Sequence, residues 1–499
     1  MADPATPPEN TKAQRWFFIA LMLLFVAVSI QYSMKVLTPK QDGYTRGAIN
    51  RWGKQLQDME EGANIHAKYN YPNPPVMAQM LWPISELATV NPLAGALAWF
   101  YLKVGMALFC FTWAFRLVET PTFRIPVWGK ILGVALAIRP ILGDLAHGNI
   151  NIFILFLVMG CLYSFSRGKD LLAGLLLALA IACKVTPALF VVYFLWKRSF
   201  RVLIGTGIGL VLFFFVVPSI FYGLQEGSLV KGWDRNWEAL SAWFNGMIVP
   251  YLVHGIVTPE RENQSLPGVL TRLLSHSPSF SAWIDNIYVP LSFHNIADLD
   301  AGIIKKVVQG CQLLFMIAIV WLCRVPLRPT TENPAPERRG PALAAEFSFI
   351  MIGMLMFSER TWKHHCVTLL LPFVVLAAVV MTPTVSRRLR IWLAVVLAAA
   401  TILIYSTSSG LIADDTPKVA ERYSGLSLAV GPLAVVGAGE SDMTAQLGLV
   451  PDSPGKIAQV YGVYVWAFLA LLLGLGLLMR HSRWFPPAQP LQSGEPDRG

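Results

Sequence analysis

Four short polar groups interrupt an otherwise apolar chain, and their residue types could support transfer chemistry at a membrane surface. The first is Gln41-Asp42-Gly43-Tyr44, directly after the first apolar run. A partly desolvated carboxylate just beyond the membrane edge can act as general base on an incoming hydroxyl. Asp-Gly is also a common turn pair, so Asp42 alone does not decide between the two. Asp58, Glu60 and Glu61 follow at a spacing that suits the solvated face of a helix. The second group is His147-Gly148-Asn149-Ile150-Asn151, with Arg139 and Asp144 before it. Asparagines at the opening of a helix suit capping, and also suit amide groups facing an outer cavity. Asp144 is a second candidate acid. The third group is Glu359-Arg360-Thr361-Trp362-Lys363-His364-His365, a polar link between two apolar runs. Its arginine and lysine suit a lipid phosphate, and equally an interfacial anchor. Its histidines are adjacent, not one helical turn apart, so they lack the spacing of a metal pair. The fourth group joins Trp233, Asp234, Trp237 and Trp243 to Asn263-Gln264-Ser265-Leu266. Tryptophan beside acids suits sugar stacking and also an interfacial aromatic belt, while Asn263-Gln264-Ser265 is formally a glycosylation sequon. No phosphate-binding glycine loop, dinucleotide fingerprint, zincin helix or nucleophile elbow accompanies these groups.

The elements that must position them are membrane helices. Of 499 residues, 55% are hydrophobic and only 14% charged, and the mean hydropathy is +0.51. A soluble surface needs roughly a quarter of its residues charged. These values exclude a soluble enzyme, a secreted disulfide scaffold and a nucleic-acid binder, and the net charge of +10 reflects basic residues beside membrane segments. Apolar runs of about 20 residues are bilayer-spanning helices. They are predicted at 16–37, 92–117, 127–146, 149–166, 202–222, 307–324, 343–358, 366–382, 391–412 and 458–479. The first run follows a polar stretch without a short apolar core and cleavage site, so it is expected to be a retained helix. The stretch 170–198 is broken by Lys184 and Pro187 and predicts two short helices, with Lys184 facing inward. A further short helix is expected over about 76–89. The predicted fold is an all-α polytopic membrane protein, a bundle of about 10–12 transmembrane helices with short re-entrant or broken helices and large exterior loops. Cys110, Cys161, Cys183, Cys311, Cys323 and Cys366 lie in or beside apolar runs, so neither a disulfide nor a thiolate metal site is expected.

Basic residues of the short loops set the orientation. Arg116 and Arg124, Arg167 and Lys169, Lys197 to Arg201, Arg324 to Arg339, Arg387 to Arg390, and Arg480 with Arg483 all fall on one side. That side is expected to be cytoplasmic. It carries the tails 1–15 and 481–499 and the linker 326–342, around a single transmembrane domain over 16–480. The loops 38–91, 223–306 and 413–457 are then exterior. No internal repeat is visible. A secondary transporter is usually built from repeats around a midplane site, whereas here the polar residues concentrate on one face.

The order of these groups resembles glycosyltransferase family 87, the bacterial polyprenyl-phosphate-mannose-dependent membrane mannosyltransferases of the GT-C superfamily. The resemblance rests on Asp42 after helix one, then Gly62, Tyr71-Pro72-Asn73-Pro74-Pro75, Gly148-Asn149-Ile150-Asn151 and Lys184-Val185-Thr186-Pro187. It continues with Asn263 to Leu266, Arg272 and Trp362 to His365, and covers roughly residues 16–385. Asn149 stands where glutamine is usual and Gly43 where an aromatic residue is common. The resemblance implies a GT-C-type bundle that moves a hexose, mannose in this family, from a polyprenyl-phosphate donor to an exterior lipid or glycan hydroxyl, with inversion. Asp42 would be the base. Arg360, Lys363, Lys184 and Arg139 would meet the donor phosphate. Tyr71, Asn149, Asn151, Asn263, Arg272, Trp362, His364 and His365 would bind substrate, Arg272 being a further phosphate candidate. The scheme needs no cofactor, metal or nucleic acid, and places the chain in the plasma membrane. A lipid-linked-sugar flippase or a non-enzymatic envelope-assembly subunit are the competing classes.

The topology is directly testable. Pro432→Cys should react with an impermeant thiol reagent in sealed cells, while Pro334→Cys should react only after lysis. The opposite pattern would invert the chain and move the polar groups inside.

Overall fold

The computed structural model describes residues 11–37, 48–69, 71–284, 287–328, 337–407 and 454–481. Asp42, part of the linker 326–342 and nearly all of the loop 413–457 lie outside these residues. The chain is a multi-pass membrane protein: seven of its described helices are long and apolar enough to cross a bilayer, and shorter apolar helices pack among them.

Helix α1 (Thr11–Leu37) buries Phe17, Leu21 and Phe25 and leaves Leu23, Val26 and Ile30 exposed to lipid. Three shorter helices follow: α2 (Ala48–Glu60), α3 (Ile65–Tyr69) and α4 (Pro75–Val90). Helix α5 (Pro92–Val118) starts at Asn91, whose side chain accepts from the amides of Leu93 and Ala94 at 3.1 Å, ahead of a proline that lacks an amide to satisfy. Helix α6 (Val127–His147) stops at Gly148, whose left-handed φ of 72° turns the chain into α7 (Asn151–Ser166). The break at Lys184 is where the sequence places it. Helix α8 (Asp170–Cys183) ends in extended backbone at Lys184, a 3₁₀ turn spans Thr186–Ala188, and α9 (Leu189–Trp196) resumes.

The next span, α10 (Phe200–Val211) and α11 (Val217–Glu226), is joined by a π turn over Leu212–Val216. Pro218 has no amide to give the Phe214 carbonyl, and the Asn236 side chain donates to that carbonyl instead, at 2.9 Å. Asn236 lies on α12 (Leu229–Trp243). The segment 223–306, expected as a loop, also holds α13 (Val249–Leu252), α14 (Leu266–Leu274) and a hairpin. The hairpin is a local exception in an otherwise helical chain. Strand β1 (Pro278–Ile284) pairs antiparallel with β2 (Ile287–Phe293), Trp283 opposite Tyr288. Both strands are rich in aromatic and branched residues, the composition that favours extended pairing.

Helix α15 (Ala301–Leu322) begins earlier than the predicted span. At the centre lie α16 (Pro341–Met356), buried at every position from Leu343 onward, and α17 (Leu370–Met381), buried from Leu370 through Val379. A helix apolar on all sides belongs in a core of other helices. Around them run α18 (Arg387–Tyr405), α19 (Pro454–Val460) and α20 (Val463–His481). The basic clusters gather at one end of the bundle. Lys197 pairs with buried Glu346 at 2.9 Å, Arg338 with Asp170, and Arg328 donates to the Arg198 carbonyl at 3.2 Å. All six cysteines are free.

Helices α8 and α10 approach through glycine. A Cβ added at Gly174 would lie 2.2 Å from the Val202 carbonyl oxygen, and one at Gly205 2.5 Å from that of Leu171. Gly174→Val should therefore lower the apparent Tm in detergent by several degrees, an overpacking cost of about 1–3 kcal/mol. Gly105→Val, where an added Cβ meets nothing within 4 Å, should be nearly silent. Equal Tm values for the two would refute the close approach.

Candidate functional site

The site is organised by a buried polar chain at the end of the bundle away from the arginine clusters. Asp144 lies in the last turn of α6 and is fully buried. Lys103, also fully buried within α5, contacts its carboxylate at 2.9 Å and its backbone carbonyl at 2.6 Å. The Asn151 amide donates to the other carboxylate oxygen at 2.9 Å, and the Ile152 backbone N–H to the first at 3.2 Å. Lys184 then donates to the Asn151 carbonyl oxygen at 2.9 Å. Trp99 holds the turn by donating to the Gly148 carbonyl at 2.6 Å. The N-cap position of α7 is Ile150, with no side-chain cap bond of its own, and Asp144 takes a first-turn amide. With its oxygens so engaged, Asp144 is a poor candidate for a free base.

Lys184 borders a narrow cleft of about 20 Å³ together with Asn151, Thr186, Ser358, Thr361, His365 and Thr368. Among the described residues its ammonium makes one hydrogen bond, to Asn151, and so retains donors for a ligand. Two further rings stand close by. His364 lies 5.5 Å from the His147 ring and 4.8 Å from that of His365. The Trp362 backbone N–H donates to His365 Nδ1 at 3.3 Å, which makes Nε2 the proton-bearing nitrogen of the neutral ring. The Trp362 indole N–H is buried and has no acceptor among the described residues, the condition expected of a donor kept for a ligand or water.

The segment Tyr71–Pro75 reaches the same region. Tyr71 is buried with its ring edge-on to His66, and His66 Nδ1 lies 3.2 Å from the Tyr71 carbonyl oxygen. Burial pushes the His66 imidazole down to about 4, only partly offset by that carbonyl. Trp243 donates to the Pro72 carbonyl at 3.2 Å. The helix this segment opens meets the residue before Lys184, with Cys183 Sγ 3.7 Å from Met80 Sδ. Asp58 pairs with Lys68 and Tyr69, which hold its carboxyl below the usual range.

The remaining sequence-derived residues fall elsewhere. Asn263 is fully buried and tied on both sides of its amide, donating to the Thr258 and Glu359 carbonyls and accepting from Ser265 and Thr361. That burial argues against its use as a glycosylation acceptor. Arg272 donates through all three nitrogens to the carbonyls of Pro259, Glu260, Asn263, Gln459 and Val460. Burial lowers its pKa to about 10. Both residues serve as staples here. Arg360, at the rim, reaches the Thr258 hydroxyl and lies 3.7 Å from Glu359. Arg139 stacks on Tyr405 at 4.8 Å, and Lys363 donates to the Thr407 carbonyl at 2.7 Å, so both sit against the end of α18. The cations expected at one phosphate thus separate, and Lys184 alone of them borders the cleft. Asn149 follows the αL turn, half-buried beside the site. Sequence reasoning passed over Lys103, although a lysine inside a 27-residue apolar helix is itself the signal of a buried partner.

A broken helix, a buried charge relay and a cleft bordered by a lysine and histidine at one end of a polytopic bundle define a membrane protein with a polar site at a bilayer face. The chain belongs to glycosyltransferase family 87, whose family model matches residues 71–358. It is similar to the polyprenol-phosphate-mannose-dependent alpha-(1-2)-phosphatidylinositol mannoside mannosyltransferase of Mycolicibacterium smegmatis, 27% identical over 315 residues, covering 62% of this chain and 59% of the relative. The enzyme of the same name from Mycobacterium tuberculosis is 25% identical over 346 residues, covering 66% of each. The chain thus matches about six-tenths of the length of these curated relatives.

The buried relay makes a thermodynamic prediction. Asp144→Leu would strand the Lys103 ammonium, and breaking a buried pair costs about 3–5 kcal/mol. Folded yield and apparent Tm should fall sharply, and the double variant Lys103→Met/Asp144→Leu should recover much of both. A single variant as stable as the double would show that the pair does not hold the site.

Proposed function

We propose that the chain is a GT-C glycosyltransferase that moves mannose from a polyprenyl-phosphate donor to a hydroxyl presented on the face opposite the arginine clusters. The observation that carries this reading is Lys184. It is a cation at a helix break, with unspent donors beside a cleft that His365 also borders, in a chain of family 87. The curated relatives bear names that specify a polyprenol-phosphate-mannose donor and a phosphatidylinositol mannoside acceptor. By that analogy the acceptor is a mannosylated lipid or a related glycan.

In this scheme the acceptor hydroxyl oxygen attacks the anomeric carbon as the bond from that carbon to the phosphate oxygen breaks. The bonding pair leaves with the polyprenyl phosphate, and the configuration inverts. Asp42 takes the hydroxyl proton. Negative charge grows on the departing phosphate, and the Lys184 ammonium stabilises it where the site excludes water. Arg360, at the rim, meets the donor head group before transfer. His365 and Trp362 offer N–H donors to phosphate or sugar oxygens. The natural setting is the plasma membrane, with both termini cytoplasmic and the reaction on the exterior side.

Transfer of radiolabelled mannose from polyprenyl-phosphate mannose to a phosphatidylinositol mannoside by the purified chain tests the reading against a flippase or an assembly subunit. Asp42→Asn should reduce turnover by about 10²–10⁴-fold, the range for loss of a general base, at unchanged Tm. Lys184→Met should lower turnover and raise the donor KM while leaving the acceptor KM alone. Full turnover in Asp42→Asn would exclude it as the base, and a Lys184 defect confined to the acceptor would remove that lysine from the phosphate.

A further inference from the structure

At the far end of the bundle five arginines converge on one hollow. Arg116 lies in the last turn of α5, Arg124 in the link to α6, and Arg167 just beyond α7. Arg338 and Arg339 precede α16, and all five line an open cavity of about 580 Å³. Helices α6 and α7 each run from this hollow to the Lys184 site, and the 21 residues of α6 put about 30 Å between the two.

The charge in the hollow is not balanced by its own walls. Glu119 pairs with Lys130 at 2.8 Å, Glu337 with Arg339 at 2.6 Å, and Arg338 with Asp170. Arg116 donates to the Tyr163 hydroxyl at 3.0 Å, a neutral partner. Arg124 and Arg167 make no side-chain hydrogen bond or ion pair among the described residues. Glu119 and Glu337 also line the hollow, but their ion pairs go to Lys130 and Arg339; the guanidinium groups of Arg116, Arg124 and Arg167, from three separate elements, face the space without an ion pair among the described residues. Topology signalling does not call for this arrangement, because it counts lysine and arginine alike and needs no convergence. Every cation lining the hollow is an arginine, the side chain whose planar fork binds two phosphate oxygens at once.

We propose that this hollow is a second anion site, distinct from the transfer cleft, which holds the phosphate of an anionic lipid head group from the adjacent leaflet. Its place at the ends of membrane helices matches head-group depth, and its volume admits a head group larger than a bare phosphate. A soluble polyphosphate offers the same chemistry from the aqueous side, and the experiment separates the two sources. The proposal does not depend on the transfer reaction.

The test uses the full chain in non-ionic detergent, with dioctanoyl phosphatidic acid, dioctanoyl phosphatidylcholine and inorganic pyrophosphate as probes, read by thermal shift and native mass spectrometry. Phosphatidic acid should bind and raise the apparent Tm, phosphatidylcholine should not, and pyrophosphate should bind more weakly. Arg124→Gln/Arg167→Gln should weaken phosphatidic acid at least tenfold while leaving the ligand-free Tm unchanged. Arg387→Gln/Arg388→Gln removes equal charge at the same end, outside the hollow, and should leave binding intact. Should the first pair misfold, Arg124→Lys/Arg167→Lys keeps the charge, loses the fork and should still weaken binding. Pyrophosphate binding as tightly as the lipid would overturn the lipid source. Equal binding of phosphatidylcholine, unchanged affinity in the Arg124/Arg167 variants, or equal loss in the Arg387/Arg388 control would overturn the site.

Discussion

A carboxyl group inside an apolar bundle is costly to bury unless it is paired and hydrogen-bonded, and the partners of Asp144 come from separate elements. Lys103 reaches it from the middle of α5, Asn151 and the Ile152 amide from the start of α7, while Asp144 itself ends α6. The desolvation of both ions is severe, so the geometry must be closely kept for the pair to hold. That constraint sets the turn at Gly148, the direction of the Asn151 amide and, through it, the position of the Lys184 ammonium. The cleft inherits its shape from a structural ion pair that need not touch any substrate.

Much of this was legible in the sequence. Apolar run lengths located the helices, and seven of the ten expected spans correspond to described helices long and apolar enough to cross a bilayer; the runs 127–146, 149–166 and 343–358 are helical but fall outside that set. The broken helix could be read from Lys184 and Pro187, which cannot continue a membrane helix without a partner or a cavity. The clustering of Arg and Lys in alternate loops matches their collection at one end of the bundle. The less legible part was which polar side chains would be consumed by the fold. Asn263 and Arg272 look like ligand residues by type, and the structure spends them on backbone carbonyls. A side chain's free valence depends on which carbonyls long-range packing brings to it, and local spacing carries no information about that. The same limit hid Lys103, whose partner lies 41 residues away, and the hairpin within a segment expected as loop.

Charge is sorted along the bundle axis. At one end nearly every cation is tied to a carbonyl or a carboxylate, leaving Lys184 to border the cleft. At the other, arginines outnumber the acids that face them. Helices α6 and α7 run between the two ends, carrying Asp144 and Asn151 at one and flanking the arginine hollow at the other.

The Arg272 staple has a consequence for inheritance. The region matched by the family model ends at residue 358, yet two of the three Arg272 nitrogens donate to the carbonyls of Gln459 and Val460, and Gln264 donates to Gln459 as well. The α19 segment is therefore a keystone for a part of the chain nearly 200 residues upstream in sequence. The stretch that the family model matches and the unit that must fold together are therefore different lengths of polypeptide. A chimaera that exchanged the matched region alone would transplant an arginine without the carbonyls that keep it in place.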